Sequence, residues 1–268
     1  LVSEMIYRAS QDPALTARAQ ALGASGINLV GLCCTGNEVL MRKGIPMAGN
    51  HLLQELVILT GAAEVMVVDY QCIMPSVGQV ASCYHTHLIT TSPKAKFPFA
   101  KHHEFTPENA LAKGKEVVAL AVENFARRRP ERVFIPVEPV SQVSGFSVEA
   151  ILGALGGTPP PLLDAIKAGQ IRGAVGVVGC NNPKICQDLG HTTITRKLIE
   201  HDILVLDTGC TAVANAKAGF KDPGAAALAG PGLQAICQAL KIPPVLHMGS
   251  CVDNTRIIAL AAALANAL

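Results

Sequence analysis

Residues 202–218 read DILVLDTGCTAVANAKA: an apolar run, a glycine, a cysteine and then a helical pattern. Short apolar runs closed off by Gly, Pro, Asn or Asp read as fully buried strands, and a strand followed by a helix is the unit of a parallel sheet. The same order recurs elsewhere in the chain. INLVG (27–31) leads to Cys33-Cys34 and TGNEVL, and EVMVVDYQ (64–71) leads to Cys72 and IMPSVGQVA. GAVGVVG (173–179) leads to Cys180 and NNPKICQDL, and PPVLHMGS (243–250) leads to Cys251 and VDNTRIIALAAALA. Parallel strands share one carboxyl edge, so Cys34, Cys72, Cys180, Cys210 and Cys251 are predicted to gather there, where open α/β sheets place their ligands. Helix amino termini collect at the same edge, and their positive ends favour thiolates.

The composition agrees with sheets buried under helices on both faces. Of 268 residues half are hydrophobic and 16% charged, and with no Trp the cores must be built from Val, Ile, Leu and Ala. A net charge of +2 without aromatic-and-basic interleaving gives no reason to expect a nucleic acid as partner. The closing IIALAAALANAL is too short to span a bilayer, and no signal-peptide pattern is present, so a cytoplasmic location is expected. The chain opens on Leu1 rather than Met and reads as a segment of a longer protein. The strand–helix rhythm breaks in RRRPERVFIPVEPVSQVSG (127–145), which divides it into two Rossmann-like three-layer units with mainly parallel sheets. Residues 1–140 would carry Cys34 and Cys72, and residues 141–268 would carry Cys180, Cys210 and Cys251. GINLVGLCCTGN (26–37) and RGAVGVVGCNN (172–182) read as matching first strands of a duplicated unit.

Nine cysteines without a secretory signal read as thiols, metal ligands or catalytic groups rather than disulfides. A lone cysteine after a strand is most often a small core residue; five at one sheet edge are harder to explain that way. Cys83, Cys186 and Cys237 lie inside helical patterns and are expected to pack in cores. At Cys33 the side chain points opposite to Cys34 along a strand, yet at a strand end either can turn toward the site. Zinc normally closes on four ligands in spacings such as CxxC, which do not occur here. Thiolates drawn from five loops favour an iron–sulfur cluster, with room for an extra thiophilic metal. His247 reads equally as a donor to a bound sulfide or substrate and as a hydrogen-bonded core histidine. His85 and His87 alternate along an expected strand and His102-His103 fall in an expected polar loop, with structural or solvated roles. Asp69 and Asp207 are turn formers or hydrogen-bond acceptors beside their cysteines. GLCCTGN and VVGCNN lack the GxGxxG spacing of dinucleotide sites.

GLCCTGNEVLMRKGIP (31–46), DYQCIMPS (69–76), GCNN (179–182), DTGC (207–210) and HMGSCVDN (247–254), in this order, resemble the catalytic subunit of anaerobic nickel–iron carbon monoxide dehydrogenase. The similarity runs from about Gly26 to Ala265. It implies the fold shared by hybrid-cluster proteins and these dehydrogenases. It also implies the C-cluster, a nickel–iron–sulfur assembly of Ni-4Fe-4S type that interconverts CO and water with CO2, two electrons and two protons. On this resemblance Cys251 holds the nickel and Cys34 the unique iron, while Cys72, Cys180 and Cys210 hold the cubane irons. Cys33 is then a neighbouring thiol that substitutes in another oxidation state. The family's histidine on the unique iron is expected just before Leu1, and its acid–base lysine after Leu268. Its further 4Fe-4S clusters belong to an amino-terminal region outside these residues. The parent enzyme is expected as a homodimer that passes electrons to an acceptor such as ferredoxin, with acetyl-CoA synthase as a further partner. The isolated segment is expected to be inactive. Two other readings stand beside this one: a hybrid-cluster, hydroxylamine-reductase-like redox protein, and a non-catalytic metal-binding or structural domain.

Overall fold

A computed structural model describes residues 1–68, 72–136, 153 and 160–267. Asp69, and the part of the 127–145 stretch beyond residue 136, lie outside them. The chain divides into two compact units. One comprises Leu1–Gly31 and Leu53–Pro139, and the other Leu32–Leu52 and Val140–Leu268.

The first unit opens with helices α1 (Val2–Ser10) and α2 (Pro13–Ala21). Asp12 caps α2 by accepting the Ala14 N–H at 2.9 Å, the usual way of satisfying a helix's first donors. The chain then contributes β1 (Gly31–Leu32), α3 (Cys33–Lys43) and β2 (Met47–Gly49), where β1 and β2 form a two-stranded sheet. It returns to the first unit with α4 (Gln54–Leu59), β3 (Val65–Val68), α5 (Val77–Ser82), β4 (His87–Thr90), β5 (Ala100–His102) and α6 (Ala110–Asn124). Strands β3, β4 and β5 pair in that order, all parallel. Helix α6 packs on α1 over a core of Ala9, Ala19, Val118 and Val122. The two backbones approach so closely that a Cβ on Gly114 would stand 2.8 Å from the Met5 carbonyl oxygen.

The second unit holds α7 (Pro160–Lys167), β6 (Gly173–Val177), α8 (Leu189–Glu200), β7 (Ile203–Asp207), α9 (Gly209–Lys217), α10 (Pro231–Leu240), β8 (Val245–His247) and α11 (Asn254–Ala267). Its sheet runs β6-β7-β8, again all parallel, with Val177 opposite Asp207 and Asp207 opposite His247. Leu204, Val205, Leu206, Val245 and Leu246 are at most 2% exposed and join Ile199, Leu233 and Ile257 in one core. This is the α/β architecture with parallel sheets that the apolar runs predict.

Several expectations change. INLVG (27–31) does not become a strand of the first parallel sheet; only Gly31 is extended, in the small β1–β2 pair. Residues 32–52, with Cys34, group with the second unit rather than the first. The cause is hydrogen bonding: the Asn37 side chain donates to the Gly209 carbonyl at 2.9 Å, and that of Asn50 to Asp188 at 2.9 Å. His102 ends β5 rather than lying in a loop, and its Nδ1 meets Thr90 Oγ1 at 2.9 Å.

Candidate metal centre

In the second unit Cys33, Cys34, Cys210 and Cys251 sit where a strand or turn gives way to a helical start, whereas Cys180 is followed by turns. Cys33 and Cys34 open α3, 5% and 8% exposed. Cys33 takes a left-handed φ of 52°, a conformation that non-glycine residues rarely adopt and that clusters at functional sites. Cys210 is the second residue of α9 and fully buried; its Sγ accepts the His51 N–H at 3.3 Å. A hydrogen bond from Cys33, with the backbone N–H groups of His51 and Asn181, holds the Cys210 thiol below its ordinary range, against the opposing effects of burial and Cys34. The Cys251 N–H donates to Cys34 Sγ at 3.4 Å. Gly209 lies between these groups with a φ of 60°, and a Cβ there would run into Cys251 Sγ.

The ends of β7 and β8 hold this arrangement together. Met248 N–H donates to the Asp207 carbonyl at 2.8 Å, and Gly209 N–H to the Gly249 carbonyl at 3.1 Å. Ser250 and Asp253 form a capping box around the turn that starts at Cys251. Cys180 follows β6 and is exposed; the carbonyl of its neighbour Gly179 accepts Thr211 Oγ1 at 3.3 Å, which ties the Cys180 turn to the first turn of α9. Cys72 belongs to the first unit. It is half-buried after β3 with a φ of 55°, and its carbonyl accepts a hydrogen bond from the Gln54 side chain.

His247 faces a buried ionic network. Lys221 Nζ lies 2.6 Å from Asp207 Oδ1 and 3.1 Å from His247 Nδ1, while Asn215 donates to Asp207 Oδ2 at 2.8 Å. Lys221 and Asp207 are both completely buried. Burial, and then Lys221, hold the His247 imidazole below its ordinary range, while the Lys221 charge and the hydrogen bond from His247 hold Asp207 below the ordinary carboxylate range despite burial. In this network His247 is buried and hydrogen-bonded through its Nδ1, with Asp207 as the acceptor facing it. Sequence reasoning missed Lys221, because AGFKDPG (218–224) has the composition of a surface loop, and Asn215, which lies within α9.

The comparison cysteines divide. Cys237 is buried in α10, where burial pushes its thiol up to about 12, as expected of an inert core thiol. Cys83 and Cys186 are exposed, contrary to the core packing expected of them, because α5 ends at Ser82 and α8 does not start until Leu189.

Among the described residues no three His, Cys, Asp or Glu side chains come together as the ligands of a single ion. The donor set has the character of a cluster site instead: buried soft thiols, backbone N–H groups aimed at two of the sulfurs, and a helix start behind Cys210. A cluster interposes its own metal and sulfide atoms, so its ligands need not meet at single-ion distances. His51, whose backbone serves Cys210, adds a buried Nδ1 with no hydrogen-bond partner among the described residues. Buried polar atoms of this kind are otherwise nearly always satisfied. The residues fit such a group.

Known proteins resemble this chain over its whole length. Residues 1–268 match the Prismane/CO dehydrogenase family. Carbon monoxide dehydrogenase 1 of Methanosarcina acetivorans is 56% identical over 268 residues, covering 100% of this chain and 43% of that protein. The as-isolated, nickel-free carbon monoxide dehydrogenase of Thermococcus sp. AM4 superposes with a TM-score of 0.92 at 52% identity, over 99% of this chain and 42% of that one. An acetyl-CoA synthase/carbon monoxide dehydrogenase, described with NiZn[Fe4S4] and NiNi[Fe4S4] clusters in its alpha subunits, gives a TM-score of 0.89 at 41% identity, over 99% of this chain and 42% of that one. The chain thus spans less than half the length of the proteins it matches. With the parallel sheets, the strand-end cysteines and a match over its entire length, the chain belongs to the Prismane/CO dehydrogenase family.

Proposed function

We propose that this chain supplies the thiolate cage of a nickel–iron–sulfur C-cluster in a carbon monoxide dehydrogenase, an oxidoreductase interconverting CO and water with CO2, two electrons and two protons. The observation that carries the reading is the meeting of Cys33, Cys34, Cys210 and Cys251 around Gly209 in the second unit. Identities of 56% and 52% to proteins named carbon monoxide dehydrogenase support it over the hybrid-cluster and scaffold alternatives.

In this proposal Cys34, Cys72, Cys180, Cys210 and Cys251 are the ligands, with Cys33 beside them as an alternative. When bound, the cluster supplies Lewis acidity toward CO and water and a store for electrons. The protein's own part is positional. Backbone N–H groups of His51 and Cys251 stabilise negative sulfur, as hydrogen bonds to cluster sulfurs do in tuning potential. Gly209 makes room for the Cys251 sulfur, and the β7–β8 contacts fix the spacing of Cys210 and Cys251. A cytoplasmic homodimer that passes electrons to a ferredoxin-like acceptor belongs to the same proposal. Acetyl-CoA synthase is the further partner, on the strength of the solved assembly described above.

Anomalous scattering at the nickel and iron edges, on crystals of anaerobically prepared full-length protein, tests the proposal. Both metals should appear within the cysteine cage. Zinc alone, or iron bound away from these sulfurs, would sink it.

A further inference from the structure

A second site lies in the first unit, at the opposite end of its sheet from Cys72. A cavity of about 330 Å³ is walled by three segments: Gly61 in the turn before β3, Ser82 to His85 before β4, and Arg127, Arg129 and Arg132 after α6. All three meet at the amino end of the parallel strands, whereas Cys72 follows the carboxyl end of β3.

The lining is cationic and contains no carboxylate. The nearby acid, Glu64, is already engaged, by Arg128 at 2.7 Å and by His85 at 3.2 Å. Arg132 is anchored by a hydrogen bond to the Cys83 carbonyl at 3.2 Å and by its position 4.6 Å over the Tyr84 ring. Its backbone carbonyl abuts the turn at Gly61, where the φ of 67° suits glycine and a Cβ would collide with that oxygen. Arg127 and Arg129 have no ion pair among the described residues. The uncompensated positive charge is felt nearby: burial, then Lys101 and Arg127, depress the affinity of His87 for a proton.

Like charges drawn to one concavity repel each other unless a counter-charge joins them. Guanidinium groups present planar forks that match oxyanions bidentately. Three of them exceed what one carboxylate can neutralise, whereas a phosphate group carries about two negative charges and three acceptor oxygens. The cavity lies at the small end of the range for ligand pockets, about 300–1,000 Å³.

We propose that this pocket binds a small phosphate-bearing anion, an orthophosphate, diphosphate or compact phosphate ester, at the amino end of the first unit's sheet. The inference is independent of the carbon monoxide dehydrogenase reading.

Calorimetric titration of the purified full-length protein with sodium pyrophosphate and with inorganic phosphate, at constant ionic strength in chloride, is the test. One site per chain is expected. Arg129→Gln should weaken pyrophosphate binding about tenfold, the size expected for one charged hydrogen-bonding partner, and Arg127→Gln by a similar factor. Both side chains are exposed, so the variants should keep the wild-type circular dichroism and unfolding midpoint. Lys94→Gln, an exposed charge of the same unit outside the pocket, should bind as wild type. No saturable heat with either anion would overturn the proposal. So would equal weakening in Lys94→Gln, or binding of a polyanion such as heparin while pyrophosphate fails.

Discussion

Gly209 and Lys221 illustrate opposite degrees of legibility at the scale of single residues. DTGC signals a strand end and a helix start, so Cys210 could be located from the sequence. The reason for the glycine before it is tertiary, since the Cys251 sulfur occupies the place of a side chain there. Gly209→Ala should therefore cost about 1 kcal/mol or more in stability from its positive φ. It should also lower bound iron and nickel per chain, measured by elemental analysis on anaerobically purified protein, more than its effect on unfolding explains. Lys221 lies in a polar loop sequence, and nothing local marks it as buried beneath two strand ends. Lys221→Met strands the Asp207 carboxylate and should destabilise by about 3–5 kcal/mol in denaturant titration. The double variant with Asp207→Asn should lose less than the two single losses added together. The network also sets a pH dependence. His247 has a folded-state proton affinity below its ordinary value, chiefly through burial and Lys221, with Asp207 and Asp253 opposing. An unfolded chain accepts that proton first, so stability should fall as pH drops below the ordinary histidine range. A second fall should follow below the ordinary carboxylate range, where the unfolded state protonates Asp207 before the folded state does. Unfolding midpoints between pH 8 and pH 3 check both; His247→Gln should remove the first and shrink the second, because Asp207 keeps Lys221 but loses its contact with His247.

Among the elements, the strands of the second sheet were the easiest to read. GAVGV, ILVLD and VLH are apolar, β-branched and bounded by turn residues, and they became β6, β7 and β8. The helix expected directly after Cys180 failed for a specific reason. The Asp188 N–H donates to Asn181 Oδ1 at 3.0 Å and the Asn181 amide donates back to Asp188 Oδ1 at 2.9 Å. Such side-chain bonds compete with helical ones and hold the NNPKICQD stretch in turns until α8 starts. INLVG misled in another way, because an apolar run has no strand character unless a partner strand is beside it. Two substitutions probe the elements that remain. Leu206→Ala in β7 should cost about 2–5 kcal/mol by opening a cavity in the second core. Asn37→Ala in α3 removes the donor to the Cys33 and Gly209 carbonyls and should cost about 1–3 kcal/mol. Denaturant midpoints should follow both, with metal content falling only in the second.

The whole chain consists of two units, and only their approximate number was visible in the order of residues. Local patterns report periodicity, whereas the assignment of residues 32–52 to the second unit rests on contacts such as Asn37 to Gly209, 172 positions apart. No helix among the described residues is long and apolar enough to cross a membrane. A metal cluster tying separate loops together should act as a ligand of the folded state. Loading it should raise the unfolding free energy by about 4 kcal/mol where its components exceed their dissociation constants a thousandfold. Chelation should reverse that gain, and Cys34→Ser should abolish the difference between loaded and stripped protein in calorimetry. The excursion of the chain at residues 32–52 also sets a timetable for biosynthesis. Cys34 leaves the ribosome 217 residues before Cys251, the residue whose amide reaches its sulfur. At usual elongation rates of about 5–20 residues per second, that is about 10–40 s during which the early thiols stand without their later partners. For the proposed cage, metal delivery that ran ahead of translation would meet only part of the ligand set, so insertion would have to wait for the carboxyl-terminal strands, and oxidants reaching the nascent chain in that interval would find Cys33 and Cys34 first.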